Sequence, residues 1–306
     1  ENYIFIGDSI MADVRPFNGL RYNPQIVGPL SDVISPPFDI ISSKLQHDLY
    51  DRSSHNVVRL EEGRNFLDDT SSDNRYTRAA ATFAKWLNEG ILKRENNPSF
   101  YLIRHTFNFD GKERVQLSLL SCVRLEEYER RIILPHEFTQ GKALDDRFSL
   151  MESCNANFSP VMSLYRDNDG VLRELFYKII SEQPLINLCT EDKHTFSLWK
   201  LDTPEQISVI QRGLHNKPLY IADGHHRYQT ALRYRDYIRS KKTTDIAPNA
   251  AINFVLMGLI EMDDPGLFLL PYHRVIGNLD PGILSKIEEN LKELFTFDPF
   301  PIDSSS

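Results

Sequence analysis

The residues best suited to chemistry lie in one short run of the 306-residue chain, Pro218-Leu-Tyr-Ile-Ala-Asp-Gly-His-His-Arg-Tyr228. Its apolar residues predict a strand that ends at Asp223-Gly224, and a helical pattern follows to about residue 240. Backbone N–H groups at a helix start, together with the helix dipole, favour a bound anion. Gly224 lets a ligand or another backbone segment approach closely, and the planar fork of Arg227 fits phosphate or carboxylate. The run therefore predicts a phosphate cradle.

Each side chain of this cradle has a chemical interpretation beside a structural one. Asp223 is suited to act as a general base or a Mg²⁺ ligand, or simply to stabilise the turn. One ring of the adjacent His225 and His226 could face phosphate while the other packs behind it. Neighbours on a helix diverge by ~100°, so these two rings do not easily share a metal ion. Arg227 either binds an anion or forms a structural ion pair.

Two other places could supply partners for the cradle. His136 and Glu137 follow an apolar run and a proline, where such a pair acts as acid and base or holds a metal-bound water, unless it is a solvated strand end. Arg21 lies beside Pro- and Gly-rich turns and could join Arg227 if the N-terminal part folds onto the second half. We predict catalytic roles for Asp223, His226, Glu137 and His136, cofactor-binding roles for Gly224, His225, Arg227 and Arg21, and no metal-ligand set.

Composition narrows the class of protein. Hydrophobic residues make up 41% and charged residues 25%, which are globular values, and the formal net charge is −8. Extended nucleic acid is not an expected partner, because binding it requires clustered positive charge.

Three widely spaced cysteines without a CxxC pair predict a reducing cytoplasm. No apolar stretch reaches the ~18 residues of a membrane-spanning helix, so no membrane partner is expected.

The order of elements predicts an α+β protein with mixed sheets and flanking helices, because strands and helices alternate without regular βαβ spacing. Apolar residues at helical spacing predict a helix over 75–88, and Asp110-Gly111 predicts a hairpin. The run Asn56–Leu60 predicts a short strand, and so does the segment through Leu270 that follows the turn at 263–266.

Composition and turn signals also suggest divisions of the chain. Residues 1–11 look like the remnant of a protease-cleavage tag and are expected to be disordered. A weakly marked cut near 183–195 separates an N-terminal α+β region, 12–190, from a second region, 191–306. The strand-like run 294–300 before the final serines predicts that this second region is truncated at its C-terminus.

Several dispersed runs resemble one protein family. They are residues 15–22, 35–39, 56–60, 134–137, 221–228, 262–266 and 270–274. Together they are similar to the bacterial and archaeal domain-of-unknown-function family number 1015, over about residues 13–275. That family has no settled activity, so the resemblance alone implies no mechanism.

The Asp-Gly-His-His-Arg run is also similar to the phosphate-binding motif of the ParB/sulfiredoxin superfamily, which includes free-serine kinases. This resemblance covers about residues 195–240 and implies a ParB/sulfiredoxin-like substructure in the C-terminal half. It implies nucleotide-binding and catalytic roles for Asp223, His225, His226 and Arg227, with Mg²⁺ and ATP or ADP as cofactors. The catalytic glutamate of those kinases lies outside the run.

These patterns favour a cytoplasmic, nucleotide-binding phosphotransferase or nucleotide-hydrolysing enzyme whose ligand is a small molecule or nucleotide. The alternatives are a non-catalytic sensor of a phosphorylated metabolite and a metal-dependent hydrolase built on His136, Glu137 and the 225–226 pair. No P-loop, GxGxxG, GxSxG or HExxH motif is present, which disfavours the enzyme classes that depend on them. Convergence of His136, Glu137 and Arg21 on the 223–227 turn would favour an enzyme.

Overall fold

A computed structural model describes residues 12–137, 141–270, 277 and 280–297; the predicted tag remnant, 1–11, lies outside them. The strands are β1 Val14–Arg15, β2 Leu20–Tyr22, β3 Leu92–Arg94, β4 Phe100–Phe109, β5 Lys112–Arg124, β6 Ile133–Leu134, β7 Val161–Tyr165, β8 Ile186–Cys189, β9 Thr195–Leu201, β10 Leu219–Asp223 and β11 Phe254–Glu261. The helices are α1 Pro24–Val27, α2 Ser43–Arg52, α3 Val58–Glu61, α4 Arg75–Asn88, α5 Gly141–Cys154, α6 Val171–Ile180, α7 Pro204–Leu214, α8 His225–Lys241 and α9 Pro281–Lys292.

The main sheet is mixed, which confirms the predicted α+β class. Its strands follow the order β6-β10-β7-β11-β5-β4-β9-β8, with β1 paired to β5, and β2 and β3 form a separate two-stranded sheet. The pairs β6–β10 and β7–β11 are parallel, and the other neighbours are antiparallel. Strands from both sides of residue 190 therefore belong to one hydrogen-bonded layer.

Two compact units divide the chain after Leu267. The first contains the described strands and the helices α1 to α8. In the second, the described residues include helix α9, where Asp280 caps the start by accepting the N–H of Gly282 at 2.8 Å. Among the described residues, no helix has both the length and the apolar character needed to cross a bilayer.

Side-chain caps begin several helices where the sequence indicates. Ser42 accepts the N–H of Leu45 at the start of α2. Asn74 and Thr77 form a reciprocal capping box on α4, so the predicted helix over 75–88 is confirmed. The predicted hairpin is also confirmed, because β4 and β5 pair up to Phe109 and Lys112 around Asp110-Gly111.

Two predicted strands are wrong. The run 56–60 leads into the one-turn helix α3, because the side chain of Asn56 accepts the N–H of Val58 at 3.0 Å and fixes a turn. Residues 267–270 have no regular structure. The turn before them is held to β5 by a side chain, since Asp264 accepts the N–H of Leu117 at 3.0 Å.

One buried tyrosine connects α8 to the segment that leads from β5 to β6. The hydroxyl of Tyr228 donates to the carbonyl of Glu126 at 2.8 Å and accepts its N–H at 2.9 Å. The neighbouring ring of Tyr128 lies 5.5 Å away, and its buried hydroxyl has no hydrogen-bond partner. The hydroxyl of Tyr228 is thus satisfied and that of Tyr128 is not, although both are buried.

We expect Tyr228→Phe to lower the free energy of unfolding by about 2 kcal/mol or more, because it leaves two buried backbone groups without partners. Tyr128→Phe is the matched control and should change stability by less than about 0.5 kcal/mol. Urea denaturation followed by circular dichroism measures both. Equal losses in the two variants would contradict this account of Tyr228.

Candidate active site

Two neighbouring parallel strands bring the two predicted groups of site residues to the same edge of the sheet. Strand β6 pairs with β10 through Ile133 with Leu219 and Leu134 with Tyr220. Parallel strands end on the same side, so the residues that follow each strand meet there. His136 and Glu137 follow β6, and the 223–227 turn ends β10. The structure therefore brings His136 and Glu137, two of the three residues expected to converge, to the turn.

Two hydrogen bonds hold His136, one through its backbone and one through its ring. Its backbone N–H donates to Nε2 of His225 at 3.2 Å, and its Nδ1 lies 2.9 Å from the carbonyl oxygen of Ile221. Because a carbonyl oxygen only accepts, Nδ1 of the neutral ring carries the proton. The lone pair is then on Nε2, which lies 3.8 Å from Oε1 of Glu137. This exposed nitrogen is free to take up a proton or to bind a cation.

His225 is a buried ring whose environment keeps it neutral. It is 3% exposed and packs edge-to-face against His136 at 4.5 Å. Burial lowers the pKa of His225, and the nearby imidazole of His136 lowers this pKa further. Since Nε2 accepts the N–H of His136, the proton of the neutral ring is on Nδ1, which lies 3.8 Å from Oε2 of Glu137. His225 therefore positions His136 and lies beside the carboxylate of Glu137.

His136, Glu137 and His225 are also the one group in the described part of the chain with metal-ligand geometry. Their ligand atoms all lie within 4.8 Å of one another. A metal bound here, however, would need the lone pair of Nδ1 of His225, and that atom carries the proton while Nε2 accepts a backbone hydrogen bond. Only two ligands remain, whereas zinc takes at least three from the protein. The bonding favours an acid–base group over a metal site.

The turn after β10 is shaped by a bulge and by Gly224. The register of β10 against β7 shifts between Ile221 and Asp223, which re-aims the chain at the end of the strand. Gly224 has φ +90° and begins α8. A Cβ on Gly224 would lie 2.8 Å from Nε and 2.9 Å from Cζ of Arg227. The positive φ requires glycine here, and the space beside it, where a ligand was expected, contains the guanidinium group of Arg227.

Arg227 is bound to protein acceptors. It donates to the carboxylate of Asp223 and to the carbonyl oxygen of Pro160. The Asp223 side chain is 61% exposed, whereas that of Arg227 is 18% exposed. His226 follows at the second position of the helix and is half-buried. A phosphate at this turn would compete with Asp223 for the fork of Arg227.

Behind the turn, a small cavity of about 40 Å³ places Arg227 beside a buried carboxylate. Glu61 is 8% exposed and accepts a 2.6 Å hydrogen bond from Ser159, and Arg147 lies 3.5 Å from it. Burial raises the pKa of Glu61, although Ser159, Arg147 and Arg227 oppose this shift. The sequence interpretation missed Glu61. A helical interpretation of 56–61 would have placed it on the buried face with Val58, three residues earlier.

A family model described as a protein of unknown function, DUF1015, matches residues 14–304. The chain belongs to the DUF1015 family. The resemblance based on dispersed motifs is therefore confirmed. No curated protein and no solved structure matches the chain. The similarity to ParB/sulfiredoxin proteins and free-serine kinases has no support from these comparisons.

One predicted ligand-binding residue of this DUF1015 chain, Arg21, is paired with a carboxylate of the protein. Arg21 lies in β2 and donates through Nε to Glu95 at 2.7 Å. Glu95 comes directly after β3, the partner strand of β2, and also accepts from Lys200 at 3.2 Å. Arg21 is thus paired with Glu95 and Arg227 with Asp223, so each of the two arginines already has a carboxylate partner in the protein.

The neutral state of His225 predicts a pH dependence of stability. An unfolded histidine takes up its proton near pH 6.5, and folded His225 does so only at lower pH. The unfolded chain therefore binds more protons in this window, and the free energy of unfolding should fall as the pH drops below about 6.5. Urea titrations from about pH 7.5 to 5 measure the slope.

His225→Gln isolates this contribution, because it keeps an acceptor for the N–H of His136 but cannot titrate. We expect it to flatten the pH slope. His215→Gln is the control, since His215 is exposed directly after α7, and it should leave the slope unchanged. An unaltered slope in His225→Gln would assign the pH dependence to other groups.

Proposed function

We propose that this protein is an enzyme that hydrolyses or transfers a phosphoryl group of a small molecule or nucleotide. The observation that carries the proposal is the convergence of His136 and Glu137 with the 223–227 turn at one sheet edge. An acid–base pair and an anion-binding helix start then act on one substrate. The three cysteines of the protein form no disulfide, which suits the proposed location in a reducing cytoplasm.

In this proposal His136 is the general base. Its Nδ1–H bond to Ile221 holds the ring, and the lone pair on Nε2 takes the proton of the attacking water or substrate hydroxyl. Glu137, 3.8 Å away, stabilises the imidazolium that forms. His225 orients this pair through the backbone of His136 and is a positioning residue.

The substrate phosphate is bound at the start of α8. Gly224 has no side chain to cap the first turn, so the N–H groups of this turn point toward a ligand. The phosphate also replaces the carboxylate of Asp223 as an acceptor of Arg227, and that carboxylate then turns toward solvent. Asp223 and Glu137 are exposed carboxylates of the kind that Mg²⁺ prefers, and they would hold the ion that neutralises phosphate charge. ATP or ADP is the proposed phosphoryl donor in the transferase case.

A panel of phosphate monoesters and nucleotides, with Mg²⁺, tests the proposal through phosphate release and phosphoryl transfer. With a substrate found, His136→Gln should lower kcat by about 10²–10⁴-fold, the usual contribution of a general base. Arg227→Gln should weaken nucleotide or substrate binding by about tenfold, because it removes a charge-assisted hydrogen bond. His215→Gln, at an exposed histidine outside both sites, serves as the control and should change neither quantity.

No binding and no turnover across the panel would refute the enzyme proposal. Binding without turnover would instead identify the sensor of a phosphorylated metabolite. In either case, calorimetry with ATP and with ADP in the presence of Mg²⁺ gives the binding measurement.

The metal-dependent hydrolase is the second candidate, and the 4.8 Å cluster favours it. The two candidates differ in what they require of His225. A metal enzyme needs its ring as a ligand, so His225→Gln would abolish activity and metal content together. The acid–base enzyme needs an acceptor for the N–H of His136, which glutamine supplies, so most activity should remain. Elemental analysis and a chelator control complete the comparison.

A further inference from the structure

A second cavity, of about 170 Å³, gathers four arginines outside the proposed active site. We call it the arginine pocket; it is lined by Tyr50, Arg59, Gly63, Arg64, Phe66, Arg75, Arg78 and Thr82. These residues come from α2, α3, α4 and the connection between α3 and α4. Four guanidinium groups around one cavity repel one another unless anions balance them.

Two of the four arginines are balanced by the protein. Arg75 pairs with Glu62 at 2.8 Å and with Asp146. Arg78 pairs with Asp69 at 2.8 Å and with Asp73 at 2.7 Å. Each of these side chains therefore has two carboxylate partners and brings no net positive charge to the pocket.

The other two arginines have no carboxylate partner among the residues that the structure describes. The guanidinium carbons of Arg59 and Arg64 lie 4.2 and 4.1 Å from the ring centre of Tyr50. Arg64 contacts Nδ1 of His47 at 3.0 Å, and because a guanidinium only donates, this nitrogen accepts the hydrogen bond. Two cations without an ion pair therefore share one wall of the pocket, and Asp51 attracts the charge of Arg59 from beyond ion-pair distance.

Arg59 also has an unused donor. Its Nη2 donates to the carbonyl oxygen of Tyr50 at 2.8 Å, whereas its Nε–H is buried without an acceptor. Burial lowers the pKa of Arg59 and the charge of Arg64 adds to this shift, although Tyr50 and Asp51 oppose it. A buried charged donor without an acceptor is costly, so an anion in the pocket would relieve both the repulsion and the missing bond.

We propose that the arginine pocket binds a phosphate group, either inorganic phosphate or the phosphate of a small ester. A phosphate monoester carries close to two negative charges and three terminal oxygens, which match the two unpaired guanidinium groups. A carboxylate carries one charge and would leave one of them uncompensated. The site lies outside the 223–227 turn and does not depend on the proposed reaction.

The test uses ¹H–¹⁵N spectra of the arginine Nε–H groups in the full chain, titrated with inorganic phosphate and separately with ribose 5-phosphate at fixed ionic strength. The missing signals of Arg59→Lys and Arg64→Gln assign the two groups. We expect both signals to shift saturably. Binding of either compound supports the proposal, and the tighter of the two identifies the source of the phosphate.

Arg64→Gln should weaken binding at the Arg59 signal by about tenfold, the value of one charge-assisted bond. Arg212→Gln, at an exposed arginine of α7, and Arg227→Gln, at the proposed active site, should leave it unchanged. The proposal is overturned if phosphate moves neither signal, if chloride moves them equally, or if Arg64→Gln binds like the wild type. Should a variant not fold, the wild-type titrations against chloride still decide.

Discussion

The parallel pairing of β6 with β10 is the constraint on which the candidate active site depends. Only two residues of each strand pair, yet they bring the N–H of His136 within 3.2 Å of His225. That bond fixes the tautomer of His225, which in turn disfavours a three-ligand metal site. The buried hydroxyl of Tyr228 reinforces the arrangement, because it connects α8 to the segment before β6. A short edge pairing and one tyrosine thus determine the chemistry available here.

The sequence predicted the local features of this chain well, because their causes are local. The helix over 75–88 follows from its apolar spacing and its Asn74 cap, and the hairpin follows from Asp110-Gly111. The strand-turn-helix run 218–240 follows from the same kind of signal. His136 and Glu137 could be selected as candidates, since they follow an apolar run. The family could be recognised from short runs of residues, because recognising them requires no knowledge of which residues are in contact.

Long-range contacts could not be predicted in the same way. A two-residue strand such as β6 has no periodicity, and its partner lies about 85 residues later. The partner of Arg21 is Glu95, which no local pattern indicates. Glu61 was missed because the run 56–60 suggests a strand by its β-branched residues, whereas the side chain of Asn56 forces a turn. Because one turn of helix stands where a strand was predicted, the burial of the Glu61 carboxylate was not predicted.

The two proposed phosphate sites differ in what a ligand gains. At the turn, Arg227 already donates to Asp223 and Pro160, so an incoming phosphate replaces a carboxylate and gains only the difference between two charge-assisted bonds. In the arginine pocket, Nε of Arg59 has no acceptor, so a phosphate gains the whole bond, worth about 1.5–3 kcal/mol. Exchange at the turn suits a substrate that must leave after reaction, whereas an unpaired donor suits a ligand that is retained.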